Sequence, residues 1–272
     1  AKIIGPRDGR FGADRWKFNP HSVPNIVLGT LILWFGWYGF NPGSTAAMGT
    51  VDDATTASRA AVATTLGAGS GGMVVYTYTT YIRGQYDVPG ICNGVLGGLV
   101  AITAGCANVH ILSSLIIGGF GGLFSLLGPD FLEYLLIDDP VGAFPVHGVC
   151  GMWGVIATWL FDSTDSVSFE TQIIGLLAIA TWSWSAAFVI FSILKWLGYG
   201  VCSTRDQRRG QDAKYKNDAY MSSSGVTRFK AFLSHHKMDR GSFSRLLQLQ
   251  LGMFVDSRAR IFLDSDNLVN LD

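Results

Sequence analysis

The sequence predicts an all-α bundle of transmembrane helices followed by a short cytoplasmic α/β fragment. Apolar residues make up 49% of the 272 residues, charged residues only 15%, and glycine occurs 34 times. These values are unusual for a soluble domain and typical of a membrane protein. The charges are also segregated, since the only Lys or Arg residues between Ser22 and Gly200 are Arg59, Arg83 and Lys195. The formal net charge of zero therefore hides a membrane body with a basic tail.

About six apolar segments are long enough to cross the bilayer, because a span of about 30 Å needs roughly 20 helical residues. They lie at 23–41, 57–82, 90–107, 109–127, 142–162 and 171–199. The third and fourth are separated only by small and polar residues around Cys106 and Asn108. This spacing predicts a tight helical hairpin there.

Small residues inside these segments indicate close helix packing. Glycines four positions apart share one helix face and let a second backbone approach it. Cysteines within the spans have no Cys-x-x-Cys spacing, so we interpret them as small buried residues. The glycine pairs are Gly67 with Gly71, Gly94 with Gly98, and Gly118 with Gly122, and the cysteines are Cys92, Cys106 and Cys150.

The distribution of Lys and Arg predicts the orientation. Basic residues precede the first span, follow the second at Arg83 and follow the last at 205–209, whereas the loops at 42–55 and 163–169 contain none. The positive-inside rule then places both termini of the chain in the cytoplasm, as an even number of spans also requires. The acidic loop at 128–141 falls on the same side, because the rule counts only Lys and Arg.

Three side chains near the end of the first span form a candidate cation site. Trp37, Phe40 and Ser44 are spaced i, i+3 and i+7, so they share a face if the helix continues past Pro42. Two ring faces attract a cation, and a hydroxyl oxygen accepts a hydrogen bond from it. Spacing alone favours the alternative, an aromatic belt at the membrane interface.

His147 is the one ionisable side chain between residues 142 and 161. Such a residue at membrane depth is costly and indicates a functional site. A neutral imidazole bonded to a neighbouring backbone group is an equally good interpretation from physics alone. Pro145 predicts an irregular backbone, as in helices that line a pathway. A neutral imidazole offers one donor and one acceptor, which suits a small polar molecule.

Three stretches resemble signature sequences of the ammonium transporter (Amt/Mep/Rh) family. They are "GTLILWFGWYGFNPGS" (29–44), "ICNGVLGGLVAITAGCANV" (91–109) and "DDPVGAFPVHGVCGMWGVIATWLF" (138–161). The resemblance implies a homotrimer of channels, each made of eleven helices, that conduct ammonium or ammonia through a hydrophobic, histidine-lined pore. The chain corresponds to the second half of that fold, so we expect it to be a partial chain. The partner histidine and second gate phenylalanine of the family have no counterpart in it.

The resemblance also assigns roles to particular side chains. It implies substrate recruitment by Trp37 and Ser44, a pore gate at Phe40, a pore group at His147, and an acidic pair, Asp138 and Asp139, at the cytoplasmic start of the fifth span. The expected partners are ammonium or ammonia, the lipid of the plasma membrane and further copies of the chain, with no cofactor, metal or nucleic acid.

The last residues resemble the opening of a TIR-like signalling domain. The expected order is a strand at Phe229–Leu233, a loop with His235 and His236, a helix at Ser242–Leu251 and a strand at Arg260–Leu263. Two adjacent histidines without a third ligand do not predict a metal site.

The predicted organisation has four parts. An N-terminal segment (1–22) precedes the membrane domain (23–200), which is followed by a basic tail and linker (201–225) and a partial TIR-like domain (226–272). Ammonium transport is the first interpretation of function. The alternative is a membrane-anchored ammonium sensor or scaffold that presents the TIR-like domain. An enzyme that cleaves NAD is the third interpretation. The glutamate that TIR domains use for this reaction lies on a later helix, so we predict that the chain is not an enzyme.

Overall fold

The computed structural model describes residues 1–20, 22–164 and 166–209, together with two short strands. The described part of the membrane domain contains six long helices at the positions of the predicted spans. They are α1 (Val23–Phe40), α2 (Val51–Thr77), α3 (Val88–Thr103), α4 (Ser113–Tyr134), α5 (Cys150–Phe161) and α6 (Phe169–Trp196). Segments of π-helix extend the end of α2 (Tyr78–Ile82) and precede α5 (Phe144–Val149). The all-α transmembrane fold class is confirmed.

Among the described residues, four helical stretches are long and apolar enough to cross a membrane on length and composition alone. They are Arg15–Thr45, Ser113–Tyr134, Phe144–Phe161 and Phe169–Trp196. Helix α3 is a shorter apolar helix of 16 residues. Helix α2 is long but carries Asp52, Asp53 and Arg59 and many buried small residues. Helix α3 is therefore set apart by its length and α2 by its polar and small residues.

Two predicted boundaries are wrong. Helix α2 begins at Val51 rather than at residue 57, because Thr50 and Asp53 form a capping box in which each side chain accepts a hydrogen bond from the other's backbone N–H. Helix α4 continues to Tyr134 rather than ending at residue 127. Both errors have one cause: apolar runs mark the segment in lipid, whereas polar residues begin and end the helix beyond it.

The helices alternate in direction, so the bundle has two distinct ends. Helices α1, α3 and α5 run one way, and α2, α4 and α6 run the other. The basal end carries residues 1–18 and the connections 83–87 and 135–143. The distal end carries the connections 41–50, 104–112 and 162–168, and the last two of these are joined by a bridge between Val109 and Asp162. The 104–112 connection is the predicted α3–α4 hairpin.

Glycines bring α2, α3 and α4 into backbone contact at the centre of the bundle. A Cβ added to Gly98 or to Gly118 would overlap the carbonyl oxygen of Gly67, and one added to Gly122 would overlap that of Gly71. The predicted role of the glycine pairs is confirmed. The buried thiols of Cys92, Cys106 and Cys150 are likewise confirmed as small packed residues; the Cys150 thiol donates to the Gly121 carbonyl at 3.1 Å.

A second compact unit begins at Arg205. A short helix α7 (Thr204–Arg209) lies at the boundary. Two strands, β1 (Ala231–Leu233) and β2 (Ile261–Leu263), pair in parallel with Phe232 opposite Phe262. The two strand predictions are confirmed within shorter bounds. The predicted helix at 242–251, together with His235 and His236, lies outside the described residues.

Candidate functional site

The candidate cation site lies where α1 ends at the distal end. The rings of Trp37 and Phe40 are in contact, with centroids 5.7 Å apart and planes tilted by 55°. The α-helix does not continue past Pro42, because proline has no N–H for the next helical bond. A 3-10 turn (Pro42–Thr45) follows instead, in which the Ser44 hydroxyl donates to the Phe40 carbonyl. The two rings are therefore neighbours, and the Ser44 hydroxyl contacts the backbone of Phe40, but the condition for one shared helical face, a helix that continues past Pro42, is not met.

Buried polar groups orient the indole and the turn. The Trp37 Nε1–H donates to the Thr103 hydroxyl of α3 at 3.0 Å, and that hydroxyl donates in turn to the Leu99 carbonyl at 2.7 Å. The side chain of Asn41 is buried and donates to the Thr64 hydroxyl of α2 at 3.0 Å. Sequence reasoning missed these supports. Asn41 could have been noticed in the sequence, because it is a polar residue that ends an apolar run directly before a proline. Nothing in the sequence around Thr103 distinguishes it from other threonines.

His147 lies in the π-helical segment Phe144–Val149 and is exposed. Its neighbours Pro145 and Val146 are buried, so the segment is packed on one side and open on the other. Within the described part of the chain the imidazole makes no hydrogen bond. The bond to a neighbouring backbone group, one of the two sequence interpretations, is thus not formed among these residues, and the side chain is exposed.

The start of this segment is fully satisfied in hydrogen bonding. Asp139 accepts from the backbone N–H groups of Ala143 at 2.9 Å and Phe144 at 2.8 Å. Pro145 has no N–H, and Val146 donates to the Gly142 carbonyl at 3.1 Å. All four donors that a helix start leaves open are therefore accounted for. Gly142 has φ of 69°, a left-handed conformation that favours glycine. The predicted irregular backbone is confirmed.

Asp138, the residue before Asp139, binds Arg7. The carboxylate is buried, with 4% of its side chain exposed, and accepts from the Arg7 backbone N–H at 2.9 Å, from Nε at 2.8 Å and from Nη2 at 2.9 Å. Arg10 Nε lies 3.6 Å away. The hydrogen bond from Arg7 lowers the pKa of Asp138 from its usual value and raises the pKa of Arg7. The two aspartates, expected as one acidic pair, thus have separate contacts.

Further ion pairs join acidic and basic residues at the basal end. Glu133 lies 3.8 Å from Arg10 and 3.9 Å from Arg15, and Arg83 binds Asp130 at 2.6 Å. These contacts explain how the acidic stretch at 128–141 lies on the side of the bundle that is rich in Lys and Arg.

A cavity of about 620 Å3 lies at the basal end between the start of the π-helical segment and α6. Its walls are almost entirely apolar and include Phe144, Trp184 and Phe188, with Asp138 and Asp139 also among the lining residues. His147 does not line it, so this cavity is distinct from the path predicted from the sequence. The described ranges contain no group of three His, Cys, Asp or Glu side chains placed to hold a metal ion.

Several long apolar helices, with Lys and Arg concentrated at one end of the bundle, define a multi-pass membrane protein. The sequence matches the Ammonium Transporter Family over residues 1–220. The chain belongs to this family.

Curated relatives are similar to about seven tenths of the chain. A putative ammonium transporter of Synechocystis sp. is 40% identical over 195 residues, covering 71% of this chain and 44% of the relative. Ammonium transporter Amt2 of Archaeoglobus fulgidus is 37% identical over 216 residues, with 71% and 45% covered. The chain spans about half the length of the curated relatives it matches.

Solved structures share the fold. A protein titled "Sensor Amt Protein" superposes with a TM-score of 0.70 at 28% identity, over 78% of this chain and 54% of the other. Mep2 of Saccharomyces cerevisiae gives a TM-score of 0.64 at 28% identity, over 74% and 49%. The helix arrangement is thus that of this family.

Proposed function

We propose that the chain forms the His147-bearing half of an ammonium transport pathway. The single observation that carries the proposal is the open imidazole, which lies on a backbone held by Asp139 and Pro145 and makes no hydrogen bond among the described residues. The family membership supports ammonium transport as the general activity. The proposed roles are recruitment by Trp37 and Ser44, gating by Phe40 and hydrogen bonding to the permeant molecule by His147.

The chemistry of ammonium fits these positions. Moving an ammonium ion into a dry pore costs tens of kcal/mol in the ideal limit, so the ion must be compensated or lose a proton. At the distal end, the Trp37 and Phe40 rings favour the cation, and the Ser44 oxygen keeps lone pairs to accept from it, because its proton goes to the Phe40 carbonyl. Farther in, an imidazole can bond neutral ammonia. Potassium cannot lose a proton, so selectivity follows from chemistry.

The direct test is ammonium uptake in a yeast strain that lacks its own ammonium transporters. We expect uptake when the N-terminal half of the Synechocystis relative is joined ahead of Ala1, because the added helices can cover the face that carries His147. The chain alone is expected to give no uptake, since the described helices leave His147 exposed. A joined protein that reaches the membrane and does not transport contradicts the proposed function, and uptake by the chain alone contradicts the need for further helices.

We also propose that the protein lies in the plasma membrane. In its proposed orientation the basal end of the bundle faces the cytoplasm. Lys2, Arg7, Arg10, Arg15, Lys17, Arg83 and Lys195 all lie at that end, whereas the described distal connections have no Lys or Arg. The positive-inside rule then places the distal connections outside.

Cysteine labelling tests this orientation. In a Cys202→Ser background, Ser166→Cys in the distal connection should react with a membrane-impermeant maleimide in intact cells. Gln85→Cys in the basal connection is the matched control and should react only after permeabilisation. The reverse pattern refutes the orientation.

Assembly as a homotrimer and a TIR-like identity for the second unit are part of the same proposal. The parallel pairing of β1 with β2 supports an α/β unit, because parallel strands need a crossover, usually a helix, and residues 234–260 are long enough for one.

The curated relatives described above are named as transporters, which does not favour the sensor alternative or an enzyme.

A further inference from the structure

The N-terminal segment is held against the basal end from two directions. Arg7 makes three hydrogen bonds to Asp138 in the connection between α4 and the π-helical segment. The Lys195 ammonium, in the last turn of α6, donates to the Ile3 carbonyl at 2.6 Å. Residues far apart in the chain thus fix a short segment beside the start of the helix that carries His147.

Two adjacent aspartates connect Arg7 to that helix. Asp138 accepts from Arg7, and Asp139 accepts from the N–H groups of Ala143 and Phe144. Since one peptide bond joins the two residues, a change in the backbone at Asp138 displaces the carboxylate that caps the helix. Without Arg7, the Asp138 carboxylate would be buried without its main partner, which is costly enough for it to take up a proton or turn towards water.

His147 has little else to determine its direction. Among the described residues its ring forms no hydrogen bond and is exposed, whereas Pro145 and Val146 beside it are buried. The direction of the imidazole therefore follows the backbone of the π-helical segment, and that backbone begins at Asp139. Any movement of the cap is transmitted to the ring.

We propose that Arg7 is a positioning residue that sets the orientation of His147 by way of Asp138 and Asp139. The consequence for transport rests on the proposed function. The effect on the imidazole itself does not, because it is a property of the chain as it stands. A purely structural role for Arg7, anchoring the N-terminal segment, predicts no specific change at His147.

The first measurement uses the full chain in lipid nanodiscs. Diethyl pyrocarbonate modifies exposed imidazoles, and mass spectrometry of the digest gives the modification rate of His147 relative to His110, which lies in the distal 104–112 connection as an internal reference. Arg7→Ala is expected to change this ratio by about threefold or more, because the buried carboxylate loses its partner. Arg7→Lys, which keeps the charge but not the forked geometry, should give an intermediate ratio.

The matched control is Arg15→Ala. Arg15 belongs to the same segment and reaches Glu133 at 3.9 Å, with 70% of its side chain exposed, whereas the ion pairs of Asp138 among the described residues are with Arg7 and Arg10. The ratio should stay at the wild-type value in this variant. An unchanged ratio in folded Arg7→Ala protein overturns the proposal. Should Arg7→Ala fail to fold, Arg7→Lys decides, and an unchanged ratio there overturns it equally.

The second measurement uses the joined protein in the yeast uptake assay. Arg7→Ala is expected to lower the maximal uptake rate by about tenfold, as displacement of a positioned group by about 1 Å can do, with the half-saturating ammonium concentration unchanged. The half-saturating concentration depends on Trp37, Phe40 and Ser44 at the other end of the bundle. If the wild-type joined protein does not transport, the proposed function fails, while the His147 modification ratio still decides the role of Arg7.

Discussion

Replacement of His147 by alanine is expected to lower ammonium uptake by the joined protein by about tenfold or more, with expression and assembly nearly unchanged. The side chain is exposed and makes no hydrogen bond among the described residues, so its removal leaves no cavity and no unpaired buried group. In the chain by itself, where His147 is exposed, the substitution should change stability by about 0.5 kcal/mol or less. In the joined protein the added helices can cover this face, so membrane expression is measured together with uptake. The loss of ammonium uptake then measures the contribution of the imidazole, which supplies one hydrogen-bond donor and one acceptor on the proposed transport path.

The matched control for this variant is His110→Ala. His110 is also exposed, in the distal connection, where its Nδ1 accepts from the Leu112 backbone N–H at 3.3 Å. Uptake should stay at the wild-type level, because this imidazole lies outside the proposed path. His147→Gln separates two roles, since an amide can hydrogen-bond but cannot relay a proton. Full uptake by the His147→Ala protein would remove the pore role altogether.

The second large effect is expected at Gly71, where three helices meet. A Cβ there would overlap the Gly94 carbonyl oxygen and lie 3.0 Å from both the Gly118 carbonyl oxygen and the Gly98 Cα. All three are backbone atoms, which cannot move aside without shifting a helix. Gly71→Ala should therefore destabilise the bundle by about 1–3 kcal/mol, the usual cost of overpacking, and lower Tm in detergent by several degrees.

Gly69→Ala provides the comparison on the same helix. A Cβ at Gly69 has no atom within 4 Å, so alanine is accommodated and its better helix propensity adds up to about 1 kcal/mol. The two variants differ by one methyl group at positions two residues apart, and their Tm shifts should have opposite signs. Tryptophan fluorescence during a thermal ramp measures both. Equal shifts would show that backbone contact at Gly71 does not limit stability.

Much of the architecture could be predicted from local patterns. Apolar runs located every long helix of the membrane domain, and the short polar stretch near Cys106 indicated the α3–α4 hairpin. The ends of the helices were harder to predict, because capping residues such as Thr50 and Asp53 are polar and lie outside the apolar run. The predicted end of the first span at residue 41 agrees with the end of α1 at Phe40, and the condition for one shared helical face is not met, because a 3-10 turn follows at Pro42.

The candidate site residues were predicted partly by residue type and partly by family resemblance, and their roles stay predictions. An ionisable side chain within an apolar run needs no alignment to be noticed, which is why His147 could be singled out. The supports of the site could not be predicted in this way. Thr103 is one of many threonines, and only the fold brings its hydroxyl to the Trp37 indole.

The sequence by itself determined that the chain is a helical membrane protein whose helices pack closely at glycines and whose Lys and Arg residues are concentrated at one end. These properties depend on composition and on the spacing of residues a few positions apart, so they can be recognised from the amino-acid sequence alone. Only the tertiary structure decided that Asp138 and Asp139 act on different partners. Arg7 and Asp138 lie 131 positions apart, and no local period relates them. Their pairing arises because helix packing brings two connections to the same end of the bundle, where burial makes an unpaired carboxylate costly.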